Sequence, residues 1–269
     1  TQLLSSGDVH LMDMHGDGLV DIVSKNTVTG VGLYVHDNIT NPQQKGQVSF
    51  SEQHGITNSE KVPINDAQNL RYVDFNGDGL VDVLNGAGAW RVWLNRGDGG
   101  FYPEKQFSRN PATTISTANF VQLVDMNGDG WMDAVETRDN DYKFYFNIDG
   151  SNFGTMIQAG NPPQWSTAHW DVRLVDFNGD GAPDVIYGGS NDYKVWIYSG
   201  GKSTTSPVYQ GPIRITNPPG AAISTLSVQF ADMNGDGLVD AVHTGAGQNP
   251  FYDIYYNDGA NNFTSAQRV

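Results

Sequence analysis

The chain has 269 residues, of which 38% are apolar and 32 are glycine, a share of core-forming residues that excludes an intrinsically disordered chain. Thirty acidic against 15 basic residues leave a formal charge of −15, which excludes a nucleic-acid or anionic membrane surface as partner. The absence of cysteine removes disulfides, thiolate metal sites and cysteine nucleophiles together. No apolar run approaches the ~18 residues of a membrane span, and Thr1–His10 lacks the basic start and apolar stretch of a signal peptide. The expectation is a soluble, already processed chain with no membrane insertion.

One phrase organises the sequence: DMHGDGLVD from Asp13, DFNGDGLVD from Asp74, DMNGDGWMD from Asp125, DFNGDGAPD from Asp176 and DMNGDGLVD from Asp232. Recurrence at this period points to units that must stack on neighbours to bury their faces. The units run approximately over 1–58, 59–109, 110–160, 161–216 and 217–269.

In the first unit an aromatic-bearing strand is predicted at Val31–His36. The second predicts strands at Leu70–Val73 and around Val83-Leu84, then Trp90–Asn95 and Phe101–Phe107. The third predicts Val121–Val124, Tyr142–Asn147 and Phe153–Ile157. The fourth predicts Val172–Val175, Val185-Ile186, Tyr193–Tyr198 and Val208–Ile215. The fifth predicts Val228–Ala231, Tyr252–Asn257 and Phe263–Val269. Alternation, β-branched and aromatic residues, and Gly/Asp/Asn turns carry these assignments.

Four short antiparallel strands, here called A to D, repeated five times are the plan of an all-β, five-bladed β-propeller, read as a single domain over 1–269. Thr1 falls in a D–A linker and Val269 in a strand D, so the expectation is five whole units in a closed ring; a segment cut from a longer array is the rival reading.

Within each phrase, positions 1, 3, 5 and 9 offer side-chain donors and position 7 a carbonyl. Oxygen donors in this number suit Ca²⁺. The predicted ligands are Asp13, His15, Asp17, Leu19 and Asp21; Asp74, Asn76, Asp78, Leu80 and Asp82; Asp125, Asn127, Asp129, Trp131 and Asp133; Asp176, Asn178, Asp180, Ala182 and Asp184; and Asp232, Asn234, Asp236, Leu238 and Asp240. Asp, Asn and Gly also make ordinary turns, but unneutralised carboxylates this close repel one another. Up to five ions would bring the formal charge to about −5. His15 is a poor Ca²⁺ ligand, so the first site is expected to be weaker, water-completed or empty. An EF-hand is excluded: position 12 is Ser24, Asn85, Glu136, Tyr187 or His243, and the flanks are strands.

The DxNGDGxxD phrase between two short strands resembles the FG-GAP or VCBS repeat of integrin α-subunit propellers, over nearly the whole chain. That resemblance implies a propeller with one Ca²⁺ per blade in the A–B loop. Similar repeats occur in adhesion receptors, calcium-dependent mushroom lectins, toxin-complex subunits and modules attached to hydrolases or lyases. Integrin and lectin relatives usually have six or seven blades, against the five read here.

The B–C turns lie on the face opposite the acidic loops. They read GAGAWR (Gly86–Arg91), RDNDYK (Arg138–Lys143), GSNDYK (Gly189–Lys194) and QNPFYD (Gln248–Asp253). Carboxylate, amide and aromatic ring side by side suit a sugar, whose hydroxyls the polar groups bond while the ring covers its C–H face. Candidate ligand residues are therefore Trp90, Asn140, Asp141, Tyr142, Asn191, Asp192, Tyr193 and Tyr252, with Trp165 from a linker that also holds Trp170. Turn chemistry and blade packing are the alternative reading, and for the column Tyr34, Trp93, Tyr145, Trp196 and Tyr255 packing is the expectation. Asn110-Pro111, Asn161-Pro162-Pro163 and Asn217-Pro218-Pro219 mark the D–A linkers.

The histidines form no HExxH, and GxSxG and GxxxxGK[ST] are absent. The expected function is a calcium-stabilised, non-catalytic binding module. A multivalent lectin for glycans or glycoproteins is favoured; a protein-interaction, adhesion or toxin-type scaffold and a calcium-dependent polysaccharide-cleaving enzyme are the alternatives. Sequons at Asn38 and Asn262 and the demand for calcium favour an extracellular, secreted setting.

Overall fold

The structure is a computed structural model that describes residues 9–25, 32–41, 47–59, 61–63, 66, 68–115, 120–200, 207–244 and 251–269. Thr1–Asp8, Val31 and the Gln248–Pro250 part of the last B–C turn lie outside the described residues.

Each acidic phrase joins the first two strands of a four-stranded antiparallel sheet, and the sequence order of the strands is also their order in the sheet. Blade 1 comprises β1 (Val9–Met12), β2 (Asp21–Lys25), β3 (Leu33–His36) and β4 (His54–Gly55). Blade 2 comprises β5 (Leu70–Val73), β6 (Asp82–Asn85), β7 (Arg91–Trp93) and β8 (Lys105–Gln106). Blade 3 has β9 (Val121–Val124), β10 (Asp133–Arg138), β11 (Asp141–Tyr145) and β12 (Ile157–Gln158). Blade 4 has β13 (Val172–Val175), β14 (Asp184–Gly189), β15 (Asp192–Tyr198) and β16 (Tyr209–Arg214). Blade 5 has β17 (Val228–Ala231), β18 (Asp240–Thr244), β19 (Tyr252–Tyr255) and β20 (Gln267–Arg268). The fold is all-β and of the five-bladed propeller class. Among the described residues no helix is long and apolar enough to cross a membrane.

The chain forms two compact units, one of Thr1–Ser116 with Gly130–Met132 and Asn147–Gly154, the other of Thr117–Asp129, Asp133–Phe146 and Thr155–Val269. The first carries blades 1 and 2, the second blades 3, 4 and 5.

Strand periodicity explains why the inner strands are apolar on both faces. Successive side chains point to opposite sides, so in blade 4 Val185, Trp196 and Tyr198 pack with Val135, Tyr142 and Phe144 of blade 3. Their neighbours Ile186 and Val195 pack with Val228, Ala241 and Phe263 on the blade 5 side. In the first unit Met12, Val23 and Val35 meet Leu70, Val83 and Trp93 in the same manner. Burying one such large side chain contributes about 1.5–3 kcal/mol, and only the neighbouring blade provides the cover.

Strand D is shorter than predicted in the second, third and fifth blades. Phe101, Phe153 and Phe263 are pinned by isolated bridges to Asn95, Asn147 and Asn257, at the end of strand C, and the ladder resumes only at Lys105, Ile157 and Gln267. These asparagines also join blades. The amide of Asn95 donates to Met14 O and Val81 O, each at 3.1 Å. Asn147 donates to Phe75 O at 3.2 Å, and Asn257 to Phe177 O at 2.7 Å and Val239 O at 3.3 Å. One amide thus holds a carbonyl of its own loop and one of the preceding blade's loop. In blade 4 Tyr198 stands at that place instead.

Asn257→Ala leaves two carbonyls without their donor and is expected to cost about 1–3 kcal/mol in chemical denaturation. A loss below about 0.5 kcal/mol would show that this amide does not hold the blades.

Candidate functional site

The five acidic loops share one hydrogen-bond plan. The carboxylate at position 1 accepts backbone N–H groups of the turn: Asp74 takes Gly77 and Gly79, each at 2.8 Å, and Asp176 takes Gly179 at 2.8 Å and Gly181 at 2.9 Å. At Asp232 the Gly237 N–H foremost, helped by Gly235, Asn234 and Asp236, holds the carboxyl below its ordinary range. The position 5 carboxylate accepts the N–H of position 7, as in Leu80 to Asp78 at 2.9 Å, and in the four loops with asparagine at position 3 also that amide, as in Asn76 to Asp78 at 2.9 Å; in the first loop His15 turns to Asp21 instead.

Position 9 differs in being buried: Asp21, Asp82, Asp133, Asp184 and Asp240 are each no more than 1% exposed. Asp82 accepts Phe75 N–H at 2.9 Å and Asn95 N–H at 2.7 Å, and Asp184 accepts Phe177 N–H at 3.0 Å and Tyr198 N–H at 2.7 Å. Each therefore ties the A–B loop to the end of strand C. Desolvation outweighs these bonds and pushes Asp82 and Asp184 up to about 7, with Asp78 and Asp180 adding like-charge repulsion.

Glycine at position 4 answers two demands. Gly179 has φ +74°, and a β-carbon there would stand 2.9 Å from Leu238 Cδ2, the position 7 side chain of the next blade. Gly16 stands to Leu80 in the same way, at 3.0 Å. Position 7 therefore offers a carbonyl while its side chain packs over the neighbouring loop.

The donor chemistry suits a hard divalent cation: carboxylates, an amide oxygen and a carbonyl, with a desolvated acid at position 9 that a positive charge would relieve. Among the described residues, no loop brings all three of its carboxylates within 4.8 Å of one another.

On the B–C side the candidate sugar residues divide. Trp90, Tyr142 and Tyr193 are fully buried, so their ring faces cannot cover a sugar, and the sequence assignment is corrected. Tyr142 donates its hydroxyl to Trp165 O at 2.6 Å and Tyr193 to Ala221 O at 2.8 Å. Each staples its blade to the linker that enters the next one. Trp90 meets Phe153 edge-on at 5.9 Å.

Trp165 stacks on Tyr187 at 4.1 Å. Asp141 pairs with Lys143 at 3.0 Å, and Asp192 with Lys194 at 2.7 Å. Asn140 and Asn191 are exposed, and Tyr252 is half exposed. Asn140–Asp141 and Asn191–Asp192 stand at the hairpin ends of two different blades rather than at one site. The predicted packing column holds, with Trp93, Tyr145 and Trp196 buried and Tyr34 and Tyr255 half-buried.

The second unit contains a cleft of about 780 Å³ that the sequence did not reveal, lined by Gln122, Thr167, His169, Trp170, Arg173 and Ser224 among others. Trp170 is 78% exposed, and Leu226, also on the wall, is 70% exposed. Arg173 donates from Nη1 to Trp170 O at 3.0 Å and Val172 O at 2.7 Å, which fixes the guanidinium. The signal was present but faint. Gln122 and Arg173 both fill the second place of strand A, in Val-Gln-Leu-Val and Val-Arg-Leu-Val.

The model of the FG-GAP-like repeat matches three overlapping spans, 74–136, 125–187 and 176–243. A T-cell immunomodulatory protein homolog of Plasmodium falciparum is 26% identical over 211 residues, 66% of this chain and 29% of the relative. A lectin of Agrocybe aegerita, solved for its recognition of non-reducing terminal N-acetylglucosamine, aligns with TM-score 0.69 and 20% identity over 97% of this chain and 65% of its own. A chain of the Photorhabdus luminescens Tc holotoxin pore aligns with TM-score 0.69 and 19% identity, over 97% of this chain and 12% of its own. This chain thus spans less than two thirds of each.

Asp184→Ala removes the acceptor of three N–H groups, from Phe177, Asn178 and Tyr198. It is expected to cost at least about 2 kcal/mol of folding free energy, measured by denaturant titration. Near-neutral behaviour would contradict the role given to position 9.

Proposed function

The chain belongs to the FG-GAP-like repeat family, and from that membership we propose a non-catalytic, carbohydrate-binding propeller whose acidic loops hold calcium. The observation that carries the carbohydrate reading is Trp170, an indole left in solvent at the wall of a cleft whose other walls carry hydrogen-bonding side chains. A pyranose needs a flat apolar surface for its C–H face and fixed donors and acceptors for its hydroxyls. Trp170 supplies the first, and Gln122, Arg173, Thr167 and Ser224 supply the second. The cleft volume of about 780 Å³ lies within the range of small-ligand sites. The fold shared with the Agrocybe aegerita lectin supports this reading, and the proposed ligand class is a terminal sugar residue of a glycan or glycoprotein.

Calcium is the proposed structural cofactor. In the second repeat Asp74, Asn76, Asp78, the Leu80 carbonyl and Asp82 would hold it, and the third, fourth and fifth repeats provide the same set. Binding would exchange the Asn76 to Asp78 hydrogen bond for ligation by the amide oxygen. A bound ion supplies positive charge to a carboxylate cluster, including an acid buried at position 9. With free ion at about 100 times Kd, linkage contributes on the order of 2.7 kcal/mol per site. Extracellular fluid, at about 1 mM calcium, would keep such sites filled if they bind in the 10 μM range, so a secreted location accompanies the proposal.

The Tc holotoxin alignment favours a second reading, a protein-interaction scaffold, and one experiment separates the two. A glycan array is probed with the wild type and with Trp170→Ala, each in millimolar calcium and in excess chelator. The expected result is calcium-dependent binding by the wild type and at least about tenfold weaker binding by the variant. An unchanged variant would overturn the cleft, and a silent wild type would favour the scaffold. Chelation is further expected to lower the melting temperature by at least about 10 °C; an unshifted melting curve would overturn the calcium assignment.

A further inference from the structure

The first blade departs from the others at three places at once, and each departure introduces a metal-ligating side chain. His15 replaces the asparagine found as Asn76, Asn127, Asn178 and Asn234. Asp37 stands immediately before Asn38, where Leu94, Phe146 and Tyr256 precede the corresponding asparagines. His54 pairs with Val35 in strand D, in the register place of Lys105, Ile157, Ile213 and Gln267.

These three residues come from separate stretches of chain, and the fold brings them together. His15 Nε2 lies 3.7 Å from Asp37 Oδ1, and His54 Nε2 lies 2.8 Å from Asp37 Oδ2. Asp37 Oδ1 is buried and has no hydrogen-bond partner. Both imidazoles border the space over Gly99, where a β-carbon would stand 3.6 Å from His15 Nε2 and 3.9 Å from His54 Cε1.

Asp21 completes the arrangement from behind. Its Oδ2 lies 3.1 Å from His15 Nδ1, and it accepts Met14 N–H at 2.8 Å and Asn38 N–H at 2.7 Å. With Nδ1 as the donor to this carboxylate, His15 keeps its Nε2 lone pair for a ligand, the outer-sphere arrangement that usually orients metal-bound histidine. Ligand atoms of His15, Asp21 and Asp37 all lie within 4.8 Å of one another; His54 adjoins this group through Asp37 alone, so the ion would have to draw its half-exposed ring inward.

We infer that blade 1 carries a site for a divalent transition metal, with His15 Nε2, His54 Nε2 and the Asp37 carboxylate as ligands and Asp21 as the residue that orients His15. Imidazole nitrogen is a poor donor to Ca²⁺ and a good one to Zn²⁺, and two nitrogens with one carboxylate leave a fourth tetrahedral position for water. The ion would join the A–B loop, the end of strand C and strand D of one blade. Copper and nickel share the preference for nitrogen, so zinc is assigned by ligand chemistry and is the probe used.

The test is calorimetric titration of the untagged, calcium-saturated protein with zinc alone, together with Co²⁺ absorption spectroscopy. The wild type is expected to bind one zinc ion with micromolar or tighter Kd and to give a visible Co²⁺ spectrum of low-coordinate form. His54→Gln, a change at a half-exposed side chain, and His15→Asn, which restores the residue of the other loops, are each expected to weaken zinc at least about 100-fold. The zinc-free melting temperature of His54→Gln should stay near that of the wild type, and that of His15→Asn, which regains the calcium-ligand set of the other loops, should not fall below it. Absence of zinc binding by the folded wild type would overturn the site. Zinc binding equally tight in both variants would also overturn it, because the metal would then rest on other histidines.

Discussion

A carboxylate taken out of water opens the second strand of every blade, and the rest of the structure is arranged around it. Asp21, Asp82, Asp133, Asp184 and Asp240 are buried. In four blades the same side chain accepts an N–H from the second residue of its loop and another from the end of strand C. Two hydrogen bonds at Asp82 and three at Asp184 do not offset the loss of water around them, and burial pushes both up to about 7. Asp82 and Asp184, each beside two further acids of its own loop, therefore carry a cost that a bound cation would relieve, and the other three loops bury the same carboxylate. The proposal of calcium follows from this imbalance more directly than from counting donors.

Blade joining uses the same part of the molecule. Amides of Asn95 and Asn257 reach back to the carbonyls of Met14 and Phe177 in the preceding loop, while Leu80 and Leu238 lie over Gly16 and Gly179 of that loop. On the other side, Tyr142 and Tyr193 fix their blades to the linker that follows. No repeat satisfies these groups alone, which is the usual condition of stacked repeats.

That dependence also decides what was legible in the sequence. The first strands, such as Leu70–Val73 and Val172–Val175, were readable because alternation and the acidic phrase bound them on both sides. Strand D was overextended, since nothing local to Phe101 or Phe153 says that an isolated bridge to the strand C asparagine holds the phenylalanine before the ladder resumes. Tyr142 and Tyr193 looked like sugar platforms because Asn-Asp-Tyr reads alike for a binding turn and for a staple. What separates the two is a carbonyl from a linker, and Trp165 is 23 residues from Tyr142. The cleft around Trp170 gathers Gln122, Arg173 and Ser224 from three blades' worth of sequence. His15 was visible as a departure, but its companions Asp37 and His54 were not, because register rather than spacing brings them near.

The most direct test of the central claim is electron density from crystals grown in saturating calcium. The account expects an ion in each of the loops that begin at Asp74, Asp125, Asp176 and Asp232, with the buried position 9 carboxylate among its ligands. Loops free of density at those places, with Asp82 and Asp184 still held only by backbone N–H groups, would contradict it.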